Sequence, residues 1–494
     1  MREPTPDAYA VRAWAAHLGA PVADPARLRA ELAAGTLTEA FHATARRRPR
    51  APALQVGDES VTHGELDARA ARMGGVLRAH GVAPGDRVLV AGRSSVALVV
   101  AYLGLLRARA AMVPADPGAT ATELRQAMEA AGAVTALADP EPRERLGAGL
   151  ALDPGGDAEP LAPHSEPGDL VMLAFTSGTT GRPKGVPLSH GNLLASLRAA
   201  ARAWRWREDD VLVHALPLSH QHGLTGVQLG LLTGSRARLL PRFDPEALAA
   251  ALTGASVLFA VPAMYERLVE HLEPGSLRLA VSGSAPLPPA LAERVAAALG
   301  FAPLERYGST EAGLCVSQLV DGERRPGTVG FPLPGLELAI LEEDEIALRG
   351  PQVFGGYWDD PEATAESFTP GGWFRTGDAG RLGAAGLEIT GRLKELIVSG
   401  GLNVYPREVE LALEEHPGVA RAAVVGVPSE RWGEEVVAFV VGEAGGLDAH
   451  LRERLSAHKV PKRVLVVDDL PVSDTGKVRR ADLVEMATAE EATT

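Results

Sequence analysis

The sequence predicts an α/β protein of more than one domain, with a small α+β unit closing the chain. Three observations support that fold class. At 494 residues the chain exceeds the size at which a single hydrophobic core stops growing, so two or three domains are expected. Hydrophobic residues make up 46% and suffice for real cores, but aromatics are only 4%, so Ala, Leu and Val must do most of the packing. Short apolar runs of strand length alternate with helix-length amphipathic runs, the pattern of a parallel sheet with crossover helices.

Residues 1–36 carry helical Ala/Leu/Arg patterning without recognisable chemistry and read as a surface extension. Beyond them, strands such as Arg87–Ala91 alternate with helices such as Gly64–Ala79 and Ser95–Arg107. Arg46-Arg47-Arg48 reads as a solvated helix end, and Pro140–Pro167, rich in Gly, Pro and acidic residues, as a surface loop. Further strands are expected at Asp169–Phe175, Val211–Pro217, Val257–Pro262 and Leu277–Ser282. The small-residue turn Ser282–Pro288 opens a helix with proline at its start. A last unit comprises the helix Pro406–Glu415, strands Ala422–Val427 and Val436–Val441, a helix from Asp448 and a strand Arg463–Val467.

Composition removes several function classes. A formal charge of −14 argues against a nucleic-acid partner. The single cysteine, Cys315, excludes an intramolecular disulfide and a cysteine-based metal cluster. Met1–Pro6 lacks the apolar core of a signal peptide, and the longest apolar run, Val96–Leu106, is too short to span a bilayer. A cytoplasmic protein with no membrane partner is expected.

The run Phe175-Thr-Ser-Gly-Thr-Thr-Gly-Arg-Pro-Lys-Gly-Val186 carries the strongest chemical signal. Gly178, Gly181 and Gly185 can take positive φ and bring backbone N–H groups to a ligand. Thr176, Ser177, Thr179 and Thr180 add hydroxyls and Lys184 a charge, a set that suits a polyphosphate. The alternative is a flexible surface turn. The common P-loop pattern fails, because Lys184 follows Pro183 and precedes Gly185. His220 and His222 could form a metal pair, but no third ligand lies near them in sequence. In Glu305–Gly313, Tyr307 can stack on a purine, and Glu311 is a hard oxygen ligand suited to Mg²⁺. Asp378, after a glycine, is on its own a plain turn residue.

The run Phe175–Val186 resembles the phosphate loop of the adenylate-forming superfamily, which includes acyl-CoA synthetases, luciferases and nonribosomal adenylation domains. Ser282–Pro288, Glu305–Gly313, Trp373–Asp378, Gly391–Glu395 and Leu470–Arg480 resemble its other motifs in order, over roughly residues 37–487. The resemblance implies a large N-terminal domain of stacked α/β subdomains, residues 37–392. A small mobile C-terminal domain, residues 393–494, follows, and residues 1–36 precede the match. It implies ATP, Mg²⁺ and coenzyme A as ligands: a carboxylate is activated as an acyl-adenylate, and a thiol then displaces AMP.

Residue by residue, the phosphate loop contributes Thr176, Ser177, Gly178, Thr179, Thr180, Gly181 and Lys184. Gly283, Ser284 and Ala285 lie against adenine, and Arg306, Tyr307, Gly308, Ser309 and Thr310 continue the nucleotide site. Glu311 and Thr180 hold the metal, Asp378 and Arg392 the ribose. Lys394, also the expected pivot, Gly400 and Gly401 complete the nucleotide-binding set. Lys477 is the catalytic lysine, acting with Lys184, Glu311 and His222. His222, Gln221, Ser309 and Arg242 face the acid, with Arg267 and Arg306 as further candidates for a second carboxylate.

Within the superfamily the chain is similar to malonyl-CoA synthetases, through Trp204-Arg-Trp206, His220-x-His-Gly223 and Val261-Pro-Ala-Met-Tyr265 among others. It departs at Ser219 (usually aromatic), Gln221 (usually small) and Ser309 (usually Met), and Leu336–Glu345 is shorter than usual. The expected substrate is therefore a small or polar carboxylic acid. The alternative acceptor is a carrier-protein thiol or another nucleophile. A non-catalytic adenylate-binding protein is disfavoured by the presence of both lysines and Glu311.

Overall fold

A computed structural model describes residues 7–176, 184–399, 402–429, 431–473 and 477–491. Among the described residues the strands fall into four sheets. The nine-stranded sheet runs Phe331–Pro332, Gly313–Ser317, Leu304–Ser309, Leu279–Ser282, Val257–Ala260, Val211–His214, Arg236–Leu239, Pro52–Val56, Glu59–Thr62. Its four central strands, Val211–His214 to Leu304–Ser309, are mutually parallel. Their C-terminal ends therefore open on one edge, the usual place for a ligand in such sheets.

A six-stranded sheet carries Arg87–Ala91 and Ala111–Ala115 at its centre. Between the layers lies the helix Val96–Ala108, apolar and buried on every side, as its continuous hydrophobic run demands. Among the described residues, no helix is long and apolar enough to cross a membrane.

Three expectations change. Residues 1–36 are not a surface extension: the helices Ala8–Leu18 and Pro25–Ala33 bury Ala10, Trp14, Leu28 and Leu32 in the main core. Trp14 Nε1 donates to the Leu336 carbonyl at 2.7 Å, and Arg29 meets the fully buried Glu337 at 2.6 Å. The stripe of Ala10, Ala13 and Trp14 at helical spacing needs an apolar partner, which the main core supplies through the helix His190–Ala203 and the strand Phe331–Pro332. Pro140–Pro167 is not all loop, since it contains the helix Pro140–Leu146 and the short strand Leu150–Ala151.

The third change concerns the glycine-rich run, whose flanks Leu170–Thr176 and Lys184–Ser189 form an antiparallel hairpin. Gly185 sits within its second strand, so positive φ is not what it provides. A Cβ there would lie 2.9 Å from Trp358 Cβ, so glycine is required for close packing. The shortened segment Leu336–Glu345 is a compact hairpin, Glu337–Ile340 against Glu345–Arg349.

The C-terminal unit has its own cores on the two faces of a five-stranded sheet, drawn from Ile397 to Ala487. Arg480 joins the buried Glu410 at 2.7 Å to Glu395 in the turn Leu393–Glu395, also at 2.7 Å. Tyr405 Oη donates to the Glu343 carbonyl at 3.3 Å, tying this unit to the larger one.

Candidate active site

The ends of the parallel strands, the hairpin Phe374–Arg392 and the C-terminal unit converge on one cleft. In that hairpin Asp378 pairs in register with Arg392, whose Nε lies 3.2 Å from Asp378 Oδ1. Tyr307, at the end of the strand Leu304–Ser309, donates to the other oxygen, Oδ2, at 2.6 Å. Burial pushes the Asp378 carboxyl up, against the pull of Arg392 and Tyr307. The arrangement aims a buried, two-oxygen acceptor at the cleft, suited to a pair of hydroxyl donors.

Lys184 opens the second strand of the glycine-rich hairpin, and its Nζ lies 4.8 Å from the centre of the Tyr357 ring. Tyr357 Oη in turn donates to Glu311 Oε1 at 3.3 Å. Tyr357 is a site residue that sequence reasoning passed over; its place in Phe354-Gly-Gly-Tyr357 was the available signal. Among the described residues no group of three or more potential metal ligands of the His, Cys, Asp and Glu types exists. Glu311 alone therefore fits a Mg²⁺ that takes most of its oxygens from phosphates and water, as Mg²⁺ commonly does.

Lys477 reaches this cleft from the C-terminal unit. Its loop is held by Ser473 N donating to the Lys477 carbonyl at 2.8 Å. Lys477 remains solvent-accessible, yet crowding lowers its pKa, as does the Arg392 guanidinium, while Asp378 and Glu311 pull the other way. Lys394 sits in the turn Leu393–Glu395; desolvation lowers it first, then Lys184 and Arg392. Three lysines and Arg392 thus share a cleft with Asp378 and Glu311, an excess of positive charge that favours a polyanion.

Against the turn after Leu279–Ser282 lies a cluster of buried polar groups, several of whose atoms lack partners. His222, in the first turn of the helix Gln221–Thr233, has Nδ1 3.1 Å from Ser284 Oγ, and its ring lies 5.6 Å from Phe259. Burial holds the imidazole neutral, well below its ordinary pKa, reinforced by Arg306 and His214. His222 Nε2, Gln221 Oε1, Ser309 Oγ and Arg306 Nε are buried without hydrogen-bond partners. Arg306 is 8% exposed, and a Cβ on Gly283 would meet its Nε at 2.4 Å, so the guanidinium lies flat on that glycine. Desolvation brings Arg306 down to about 10.

His214, Phe259 and Cys315 also belong to this neighbourhood. His214 is a buried imidazole inside an apolar strand, stacked on Phe259 at 6.4 Å. A histidine in such a strand is the signal that would have found it.

Two expected acid-facing arginines fall elsewhere. Arg242 is exposed on the loop before the helix Pro245–Ala251, and Arg267 is exposed, stacked on Phe243 at 5.0 Å. Sequence proximity to the pocket motifs did not translate into orientation, and a solvated guanidinium is no buried anion site. Ser177, Gly178, Thr179, Thr180, Gly181, Gly400 and Gly401 lie outside the described residues. Thr176 ends its strand, Gly308 and Ser309 close theirs, and Thr310 begins the turn that carries Glu311. Ala285 stands with Gly283 and Ser284 in the turn after Leu279–Ser282.

The AMP-binding enzyme family profile matches residues 41–358, and that of the AMP-binding enzyme C-terminal domain matches residues 408–477. The chain belongs to the AMP-binding enzyme family. A feruloyl-CoA synthase of Amycolatopsis sp. is 37% identical over 477 residues, covering 89% of this chain and 96% of the relative. A mitochondrial malonate–CoA ligase of Mus musculus is 35% identical over 373 residues, 64% of each chain. Among solved structures, ATP-bound MatB from Rhodopseudomonas palustris superposes with a TM-score of 0.85 at 35% identity, covering 92% of this chain and 99% of that one. Apo MatB gives 0.78, over 91% and 98%. The family member described here is an AMP-forming acid–CoA ligase, using ATP, Mg²⁺ and coenzyme A.

Proposed function

We propose that this ligase activates a short dicarboxylic acid of the malonate type, with Arg306 holding the carboxylate that does not react. The observation that carries this reading is a buried guanidinium, orphaned at Nε, beside three other unpartnered polar groups, His222 Nε2, Gln221 Oε1 and Ser309 Oγ. Leaving such groups unpaired costs about 1–3 kcal/mol each, so the pocket is built for a polar occupant. An alkyl chain would leave every one of them unsatisfied, whereas a carboxylate can accept two hydrogen bonds from a guanidinium fork. The relatives are named for both malonate and ferulate, so pocket chemistry is the better guide to the acid.

In the first half-reaction an oxygen of the reacting carboxylate attacks the α-phosphorus of MgATP, and pyrophosphate leaves. The difficulty is bringing two anions together. Lys184 and Lys477 offset that charge, each preorganised contact being worth about 10²–10³ in rate, and Glu311 would hold a Mg²⁺ that supplies further positive charge to the phosphates. Asp378, with Arg392 and Tyr307, holds the ribose, and Gly283–Ala285 flank the adenine. In the second half-reaction the coenzyme A thiolate attacks the acyl carbonyl and AMP departs. The greater likeness to ATP-bound than to apo MatB, and Lys477 in the cleft, fit the adenylating arrangement.

The test is kcat/KM for malonate, methylmalonate, butyrate, octanoate and ferulate, with free coenzyme A or a phosphopantetheinyl carrier protein as acceptor. Malonate and methylmalonate should lead, with free coenzyme A as acceptor and cytoplasmic action. Preference for octanoate or ferulate overturns the assignment of the acid, and transfer only to the carrier overturns that of the acceptor.

A further inference from the structure

The turn after the strand Leu279–Ser282 contains an oddity. Gly283 is not its left-handed residue; Ser284 is, at φ 71°. A non-glycine residue in that region is strained, and such strain persists where the side chain has a task. The Ser284 hydroxyl lies 3.1 Å from His222 Nδ1, across 62 residues of sequence. His222 Nε2 is buried without a partner on the other side of the ring, in the pocket that holds Arg306, Gln221 and Ser309.

We infer that Ser284 is a positioning residue, donating its hydroxyl proton to His222 Nδ1 and so fixing the imidazole tautomer with hydrogen on Nε2. A neutral imidazole carries one ring hydrogen, and its place is set by the bond the other nitrogen makes. With Ser284 as donor, Nε2–H points towards the acid and donates to a carboxylate oxygen. With Ser284 as acceptor, the Nε2 lone pair would face an anion and repel it. The strained turn thereby couples the segment against the adenine to the group facing the acid. This inference rests on the reading of the pocket as the acid site but not on which acid it takes.

Ser284→Gly tests it, because glycine adopts the observed φ without strain and removes the hydroxymethyl group that carries the proposed donor. In adenylation of the preferred acid, kcat/KM for the acid should fall roughly 10-fold, with KM for ATP changed less than about twofold. In a His222→Ala background the same substitution should cost less than about twofold, since its effect passes through that ring. Selective ¹⁵N-histidine NMR of the full-length enzyme, with His222 assigned by its loss in His222→Ala, should show Nδ1 unprotonated, and Ser284→Gly should broaden or shift that signal. An undiminished cost of Ser284→Gly without His222 would mean that the serine serves the nucleotide turn alone. That result, unchanged activity in Ser284→Gly, or a protonated Nδ1 each overturns the inference. A panel result against dicarboxylates would leave this cycle measurable with whichever acid is preferred.

Discussion

Arg306→Leu should separate stability from activity. Burial lowers the guanidinium from its ordinary range to about 10, which corresponds to roughly 3 kcal/mol against its charged form in the free enzyme. Among the described residues no carboxylate offsets that cost, and the leucine side chain would fill part of the space over Gly283 with apolar atoms. The free variant should therefore melt no lower than the unmodified enzyme. With a dicarboxylate bound the balance reverses, because removing one partner of a buried ion pair costs about 3–5 kcal/mol. Adenylation of malonate, followed by pyrophosphate release, should lose about 10²–10³ in kcat/KM. Butyrate, lacking the second carboxylate, should change less than about threefold, and Arg306→Lys should fall between, since a point charge replaces the fork. Equal losses for malonate and butyrate would refute the reasoning, as would a melting temperature several degrees lower with malonate activity retained.

Three further outcomes are expected. Lys477→Ala should lose adenylation by at least about 10²-fold, while thioester formation from supplied acyl-adenylate survives; equal loss of both half-reactions counts against a role confined to the first. Lys394→Pro, which fixes φ near −65° in the turn between the two units, should leave adenylation near normal and cripple thioester formation; normal rates for both would move the pivot elsewhere. Glu305, buried and pushed up to about 8 by desolvation, holds a proton in the folded state that the unfolded chain releases near 4.5. Its contribution to stability is thus complete below about pH 4.5 and lost as pH rises towards 8. Urea midpoints across that range should fall for the unmodified enzyme and flatten in Glu305→Gln; parallel curves would show that another group is responsible.

The chemistry was legible in the sequence because its carriers are contiguous. Glu305–Gly313, Trp373–Asp378 and Gly391–Glu395 each place their candidate residues within one strand end or turn, so local pattern is enough to nominate them. The helix at Val96–Ala108 and the alternation of strands with helices were likewise readable, since periodicity and apolar length are local properties. Strand–loop geometry was less so: the strands flanking the glycine-rich run pair with each other, and Gly185 answers to Trp358, a residue far along the chain whose approach no local pattern announces.

By itself, then, the sequence determined the α/β class, the order of the motifs and the kind of reaction, all of which rest on residues adjacent in the chain. Only the tertiary structure decided which arginine is buried. Arg242, Arg267 and Arg306 look alike in sequence, yet two are exposed and the third lies under the pocket. It also decided that Ser284 meets His222 and that Trp14 enters the main core. The physical reason is that burial and contact between distant segments are set by packing many side chains at once, and a change of one strand register or helix face would redirect them all.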